Sequence, residues 1–443
     1  MKHAALSPAA GVICEFNPFH NGHARLLRAV RGALGDGVCI VCVMSGRFVQ
    51  RGEPAAADPY LRARAALCGG ADLVLELPFP WSAASAEHFA DAGVSVLSGL
   101  GVETLAFGTE SGDLTLLRAA AEVLAQPDFP ARSAARVRQG DGAAVALSGL
   151  LREALSDMTP ALPDDFPSSN DRLAMQYLRA MHAAGDAMTP LAVRREGQAF
   201  RDETLHDPSA PSASAIRLLM REASADPDCL CAMLTGTMPD GALQVWLDAI
   251  RAGQAPTDGS ALLPFLHAFF RLADPDELAG FSGLSGGLSH RLVRAALDTP
   301  TPAVFLSSLH SRLYTDARLR RAMLNAVLGV TDTDLRAVPV YTTLLAANRR
   351  GCAFLKDLRS AQREGSSYIP VVTKPADAPA CRQTVLAHRA DALFTLCLPD
   401  PYQLATACGR PRLFRIRAFS RSRKLYNPKG ISGKYRRSPF GKS

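Results

Sequence analysis

Short apolar runs, each followed by a stretch of helical periodicity, set the tightest limit on what this chain can fold into. Residues 11–16, 38–44, 71–78 and 102–107 are such runs, and 24–34, 58–68, 85–97 and 114–124 between and after them read as helices. A strand that is apolar at successive positions must be buried on both faces, which is the situation of a parallel sheet covered by helices. The expected fold class is therefore α/β, with a Rossmann-like parallel sheet. Ligands of such sheets bind beyond the carboxyl ends of the strands.

Further along, a Pro/Asp/Ser-rich patch at 160–169 interrupts the alternation; 170–184 reads as an amphipathic helix and 190–193 as a short strand. After about residue 225 strands nearly vanish and helical periodicity runs to about 328. Segments 344–358, 369–372 and 393–396 suggest a mixed C-terminal part. With 443 residues the chain exceeds what one core usually holds. The expected division is an α/β domain at 1–222, a helical region at 223–335, a mixed α/β part at 336–419 and a basic tail at 420–443, disordered without a partner.

Charge is distributed unevenly. From Arg410 to Ser443 there are 12 Lys/Arg and no Asp/Glu, whereas the preceding 409 residues carry 37 basic and 42 acidic side chains, a net of −5. Clustered cations displace counterions from phosphate backbones, and Phe414, Phe419, Tyr426, Tyr435 and Phe440 interleave them with rings that can stack on bases. Nucleic-acid contact is the expectation. No run approaches the roughly 18 apolar residues of a membrane helix, and the first ten residues lack the apolar core of a secretory signal. Those absences point to a cytoplasmic protein without a membrane partner. The ten cysteines form no doubled pair of zinc-site spacing, and Cys39 and Cys42 lie in a continuous apolar run, so no metal ligand is assigned.

Chemistry concentrates where the first strand ends, in Gly11-Val12-Ile13-Cys14-Glu15-Phe16-Asn17-Pro18-Phe19-His20-Asn21-Gly22-His23. His20 and His23, three apart at a helix start, share one face. The free N–H groups and dipole of that helix end attract phosphate, and Gly22 leaves its backbone open to close approach. Two imidazole donors aimed at an α-phosphate would stabilise the charge that grows under nucleophilic attack. Helix capping and metal binding are the alternatives, but no carboxylate stands where a metal pair would need one. Ser212-x-Ser214-x-x-Arg217 is a second helix start with hydroxyls suited to pyrophosphate oxygens. Gly108 ends a strand, and Asn170 either binds a base or ribose or caps its helix. Arg47 and Arg51 put positive charge at the ligand end of the sheet. Asp72 and Glu76, four apart on one strand face, are given no catalytic role.

The His-x-Gly-His turn resembles the nucleotidyltransferase superfamily, which includes the class I aminoacyl-tRNA synthetases. Combined with Ser45-Gly46-Arg47-Phe48-Val49-Gln50-Arg51-Gly52-Glu53-Pro54, it resembles the bacterial tRNA(Met) cytidine acetate ligases. The stretches 70–78, 107–110, 194–197 and 212–217 are similar to that family as well, well over 11–220 and more weakly to about 400. The resemblance implies ATP contacts along Ile13, Cys14, Glu15, Phe16, Asn17, Pro18, Phe19, His20, Asn21, Gly22 and His23, and at Gly108, Asn170, Arg195, Ser212, Ser214 and Arg217. It implies catalysis by His20 and His23, with Mg²⁺ accompanying the ATP. It further implies acetate and elongator tRNA(Met) as partners, with Arg312, Tyr314, Arg318 and Arg321 facing the tRNA. Pro59-Tyr60 stands where relatives carry Lys-Trp, with Arg62 and Arg64 following, and Leu313 stands where an arginine is usual. Two other readings remain open at this level: an adenylyl- or cytidylyltransferase for a small substrate, and a non-catalytic RNA-binding protein that kept the fold.

Overall fold

The computed structural model describes residues 6–139, 141–157, 162–163, 166–195, 211–310 and 314–399. The basic tail and Arg312 lie outside the described residues. Strands β1 (Ala9–Cys14), β2 (Cys39–Ser45), β3 (Leu73–Leu77), β4 (Thr104–Thr109), β5 (Thr189–Arg194), β6 (Thr342–Ala347) and β7 (Val371–Val372) form one sheet in the order β5-β4-β1-β2-β3-β6-β7. The first five strands run parallel, so their carboxyl ends share an edge. The α/β parallel-sheet expectation holds.

Alternation along each strand explains the continuous apolar runs. In β2, Cys39, Val41 and Val43 enter one buried cluster, while Ile40, Cys42 and Met44 enter another on the opposite face. Period-two side chains thus feed two cores at once. Helices α1 (Asn21–Leu34), α2 (Pro59–Cys68), α8 (Ala213–Ala223), α9 (Pro227–Leu234) and α10 (Asp240–Arg251) cover the face holding Ile40. Helices α3 (Ala86–Gly99), α4 (Leu114–Ala125), α7 (Ser169–Ala183) and α17 (Arg349–Arg363) cover the other; between α4 and α7 lie α5 (Phe129–Arg138) and α6 (Ala143–Ala154). Cys39 and Cys42 are both buried and unpaired.

Helices α11 (Leu263–Leu272), α12 (Pro275–Leu278), α13 (Leu288–Asp298), α14 (Pro302–Ser308), α15 (Asp316–Leu328) and α16 (Asp332–Arg336) follow α10. Phe270, Leu292, Phe305 and Met323 form a core among them. A shared cluster joins them to the sheet, since Leu324 and Leu328 of α15 pack with Phe48, Phe79 and Phe394.

Several boundaries differ from the sequence reading. The division at 335/336 separates residues that the sheet unites: β6 lies antiparallel on β3, with Leu73 opposite Ala347. Segment 393–396, read only as part of a mixed C-terminal region, is the end of α18 (Arg382–Thr395), where Leu393 and Phe394 are buried; four apolar residues do not distinguish helix from strand. The first strand stops at Cys14, and Phe16, buried with φ 43°, turns the chain out of the sheet. No described helix is long and apolar enough to cross a membrane.

Candidate active site

At the carboxyl edge of the sheet a cavity of about 350 Å³ opens between β1, the loop after β2, α7 and the start of α8. The histidines sit at its centre, and the reason is the local chain. His20 has extended backbone (φ −141°) and is the N-cap of α1. Its Nδ1 accepts the Gly22 N–H at 3.0 Å, while the His20 N–H donates to Nδ1 of His23 at 3.2 Å. This reciprocal capping box satisfies two orphan donors of the helix start. Capping and phosphate chemistry, alternatives in the sequence, are compatible here: a neutral ring that accepts at Nδ1 carries its proton on Nε2. Each imidazole therefore has one N–H donor left for the cavity.

The rings lie against each other at a tilt of 32°, with centroids 3.8 Å apart. Burial, followed by Arg195, Arg25 and Arg217, lowers His20 to about 3, and burial with His20 and Arg195 holds His23 well below the usual imidazole range. Both are neutral donors near neutral pH. Gly22 matters for the ring as well as for the backbone, since a Cβ there would lie 2.8 Å from Cε1 of His20.

Around this pair, Ile13, Cys14, Glu15, Phe16 and Asn17 line one wall, Gly108, Asn170 and Arg195 another, and Ser212, Ser214 and Arg217 a third. Pro18, Phe19 and Asn21 are not among the walls. Phe19 is buried in the core, with its ring filling the space above Gly69. Asn21 ties α1 to the following region, its N–H donating to Thr237 O at 2.9 Å and its side chain to Gly236 O at 2.6 Å.

Ser212 caps α8, its hydroxyl accepting the Ala215 N–H at 3.0 Å. Arg217 reaches back one turn to Ser214 Oγ (3.1 Å) and across to Asn17 O (2.7 Å), holding the two helix starts together. Gly108 lies within β4 rather than closing it, and a Cβ there would meet Arg195 Cγ at 3.1 Å, so its bareness lets Arg195 cross the strand. Asn170 is not the cap of α7; Ser168 is, and Asn170 is held through its backbone N–H and side-chain amide by Glu110. Asp171 anchors that loop, accepting from the hydroxyls of Thr109 and Ser111 and the N–H groups of Glu110 and Ser111.

The basic residues after β2 divide sharply. Arg51 lines the cavity. Arg47 is buried and committed to Asp58 and Asp391. Fully buried Arg62 donates to Glu15 O at 2.6 Å, Ala57 O at 3.1 Å, Ser45 O at 2.8 Å and Gly46 O, binding the ends of β1 and β2 together; it is not the missing lysine's substitute in the cavity. Asp72 and Glu76 are also outside the walls.

Some wall residues escaped the sequence reading. Leu173 and Tyr177 follow Asn170 at i+3 and i+7, so helical spacing from Asn170 would have found them. Gln50 and Glu53, from the loop that carries the family resemblance, also line the cavity, and so does Arg321 of α15, which the resemblance assigned to tRNA and whose place here nothing local announces. Of the residues expected to face tRNA, Arg318 is exposed with its guanidinium 4.8 Å from the centre of the Tyr314 ring.

Comparison with known proteins agrees with this architecture. The sequence model of the family HIGH Nucleotidyl Transferase matches residues 8–406. The tRNA(Met) cytidine acetate ligase of Acetivibrio thermocellus is 31% identical over 407 residues, covering 88% of this chain and 95% of the relative. That of Syntrophotalea carbinolica is 37% identical over 372 residues, covering 82% and 84%. The crystal structure of Thermotoga maritima TmcAL bound with alpha-thio ATP superposes with a TM-score of 0.78 at 27% identity, covering 92% of this chain and 100% of that one. On these matches the chain belongs to the tRNA(Met) cytidine acetate ligase family of HIGH nucleotidyl transferases, and is thereby a ligase.

Proposed function

We propose that the chain activates acetate with ATP and transfers the acetyl group to N4 of the wobble cytidine of elongator tRNA(Met). The observation that carries this reading is the pair of neutral imidazoles whose Nδ1 atoms are occupied by the backbone, leaving two Nε2–H donors at one cavity. An acetate oxygen attacks the α-phosphorus, the bond to the bridging oxygen breaks, and pyrophosphate leaves. Donors fixed in advance stabilise the charge developing on the α-phosphate without reorganising. Ser212, Ser214 and Arg217, at a helix start, receive the departing pyrophosphate. The cytidine amine then attacks the acetyl carbonyl; AMP leaves and the amine loses a proton.

Gly108, Asn170 and Arg195 lie on the β4–β5 side and are suited to the nucleoside. Among the described residues no three His, Cys, Asp or Glu side chains converge to hold a metal, so Mg²⁺ fits as an ion carried by the phosphates and not as a protein-caged one. When bound there it neutralises phosphate charge. The helical region 223–335, with Tyr314 and Arg318 on its surface, is the part that would grip tRNA, by backbone charge and exposed anticodon bases. Both substrates meet such an enzyme in the cytoplasm.

The test is acetate-dependent exchange of pyrophosphate into ATP. The wild-type protein should catalyse it, and His23→Ala should slow it by about 10²–10³-fold, the usual cost of one such donor. Exchange that ignores acetate would favour a transferase for another small substrate. Its absence in the wild-type protein under every condition would favour an RNA-binding protein without catalysis.

A further inference from the structure

We infer that Arg321, on α15 of the helical region, is a ligand of the ATP polyphosphate and not a tRNA contact. The inference rests on the ATP reading above and adds to it a residue that lies outside the sheet domain in sequence.

The first observation is placement. Arg321 lines the cavity, and its Nη1 donates to Gln50 O at 3.1 Å. The second is the state of its charge. Its neighbour Arg320 is paired with Glu53, whereas Arg321 has no carboxylate within ion-pair distance among the described residues. A half-buried guanidinium offers five donors and is costly to leave without a counter-anion. Burial, and then the nearby Arg318, weaken its hold on the proton. A carbonyl oxygen orients it without neutralising it.

The third observation is that the contact is built in. Gly52 has φ 73°, and a Cβ at that position would lie 2.7 Å from Arg321 N and 2.9 Å from Arg320 C. The loop after β2 is therefore packed backbone against backbone on α15, which fixes the helix position that carries Arg321 beside the cavity.

Strand order says which part of the nucleotide it meets. Gly108 and Asn170 lie on the β4 side of β1, while Gln50 follows β2 on the other side. Gln50 N donates to Glu15 Oε1 at 2.8 Å, just after β1, which puts Arg321 on the side of the cavity away from the nucleoside wall. Because the histidines are neutral, the protein's own positive charge toward a triphosphate comes from guanidinium groups, and Arg321 is one of those lining the cavity.

The experiment is equilibrium binding of ATP, AMP and a tRNA(Met) transcript to the full-length protein and to Arg321→Met and Arg321→Lys. Arg321→Met should raise the Kd of ATP about tenfold or more while AMP and tRNA stay within about twofold. Arg321→Lys should recover part of the ATP affinity; because it keeps the charge and the stem, it also serves if Arg321→Met does not fold. Weakened tRNA binding with unchanged ATP affinity in either variant would overturn the assignment, as would equal losses for ATP and AMP. A wild-type protein that binds no ATP would sink the ATP reading and this inference together.

Discussion

Asp72 at the amino edge of the sheet and Arg217 and Arg321 in the cavity at its carboxyl edge treat buried charge in opposite ways. At the amino edge, Asp72, with 2% of its side chain exposed, accepts from Arg31 (2.7 Å), the Ile40 N–H (2.9 Å), Asn348 (2.8 Å) and Arg350 (2.9 Å). Its four lone-pair sites are filled and its charge is met by two arginines. At the carboxyl edge, Arg217 and Arg321 bond to carbonyl and hydroxyl oxygens that bring no negative charge. The histidines are neutral and spend their acceptor nitrogens on the backbone. A completed network stabilises the fold; an incomplete one leaves capacity for an anion. The difference supports the carboxyl edge as the place of the chemistry proposed above.

Three substitutions or conditions would break or sharpen this contrast. The largest effect is expected at the amino edge, where Asp72→Ala removes one member of a buried ionic network and should cost about 3 kcal/mol in urea unfolding, with activity per folded molecule unchanged. A loss of ATP affinity in the folded variant would contradict the division. Next, Asp171→Ala frees the loop after β4, whose Glu110 positions Asn170 at the start of α7. It should cost about 1–2 kcal/mol, the range for an interrupted buried hydrogen-bond network, and raise the Kd of ATP severalfold, measured by calorimetry. Stability lost with no change in ATP binding would show that the network belongs with Asp72.

The smallest effect is a pH dependence. His20 is lowered to about 3 in the folded protein, so as pH falls from its ordinary value of 6.5 the unfolded chain takes up a proton that the native site refuses. Stability is complete above that value and is lost progressively between pH 6.5 and 3. Between pH 6.5 and 5.5 the share due to His20 should be about 1 kcal/mol, read as the difference between wild type and His20→Gln in ligand-free urea titrations. Parallel titrations of the two proteins would show that the ring is charged in the native state.

Much of the site was legible because its parts are local. His20 and His23 are three residues apart on one turn, and Ser212, Ser214 and Arg217 share another. Strand runs such as 38–44 were legible because burial on both faces writes itself as continuous apolarity. Three neighbouring arginines were not separable in the same way. Arg47, Arg51 and Arg62 have the same chemistry in sequence, yet one joins Asp58 and Asp391, one lines the cavity and one ties strand ends. The acceptors that decide among them come from distant parts of the chain.

From the sequence alone, periodicity determined an α/β parallel sheet, and two helix-start motifs were legible that the tertiary structure brings to one cavity at its carboxyl edge. Those properties depend on residues within a turn or a strand of each other, so local spacing encodes them. Only the tertiary structure decided that β6 joins the sheet beside β3, that α15 brings Arg321 to the cavity, and which buried charges are paired. Partners hundreds of residues apart are chosen by packing, and packing leaves no periodic trace in the chain.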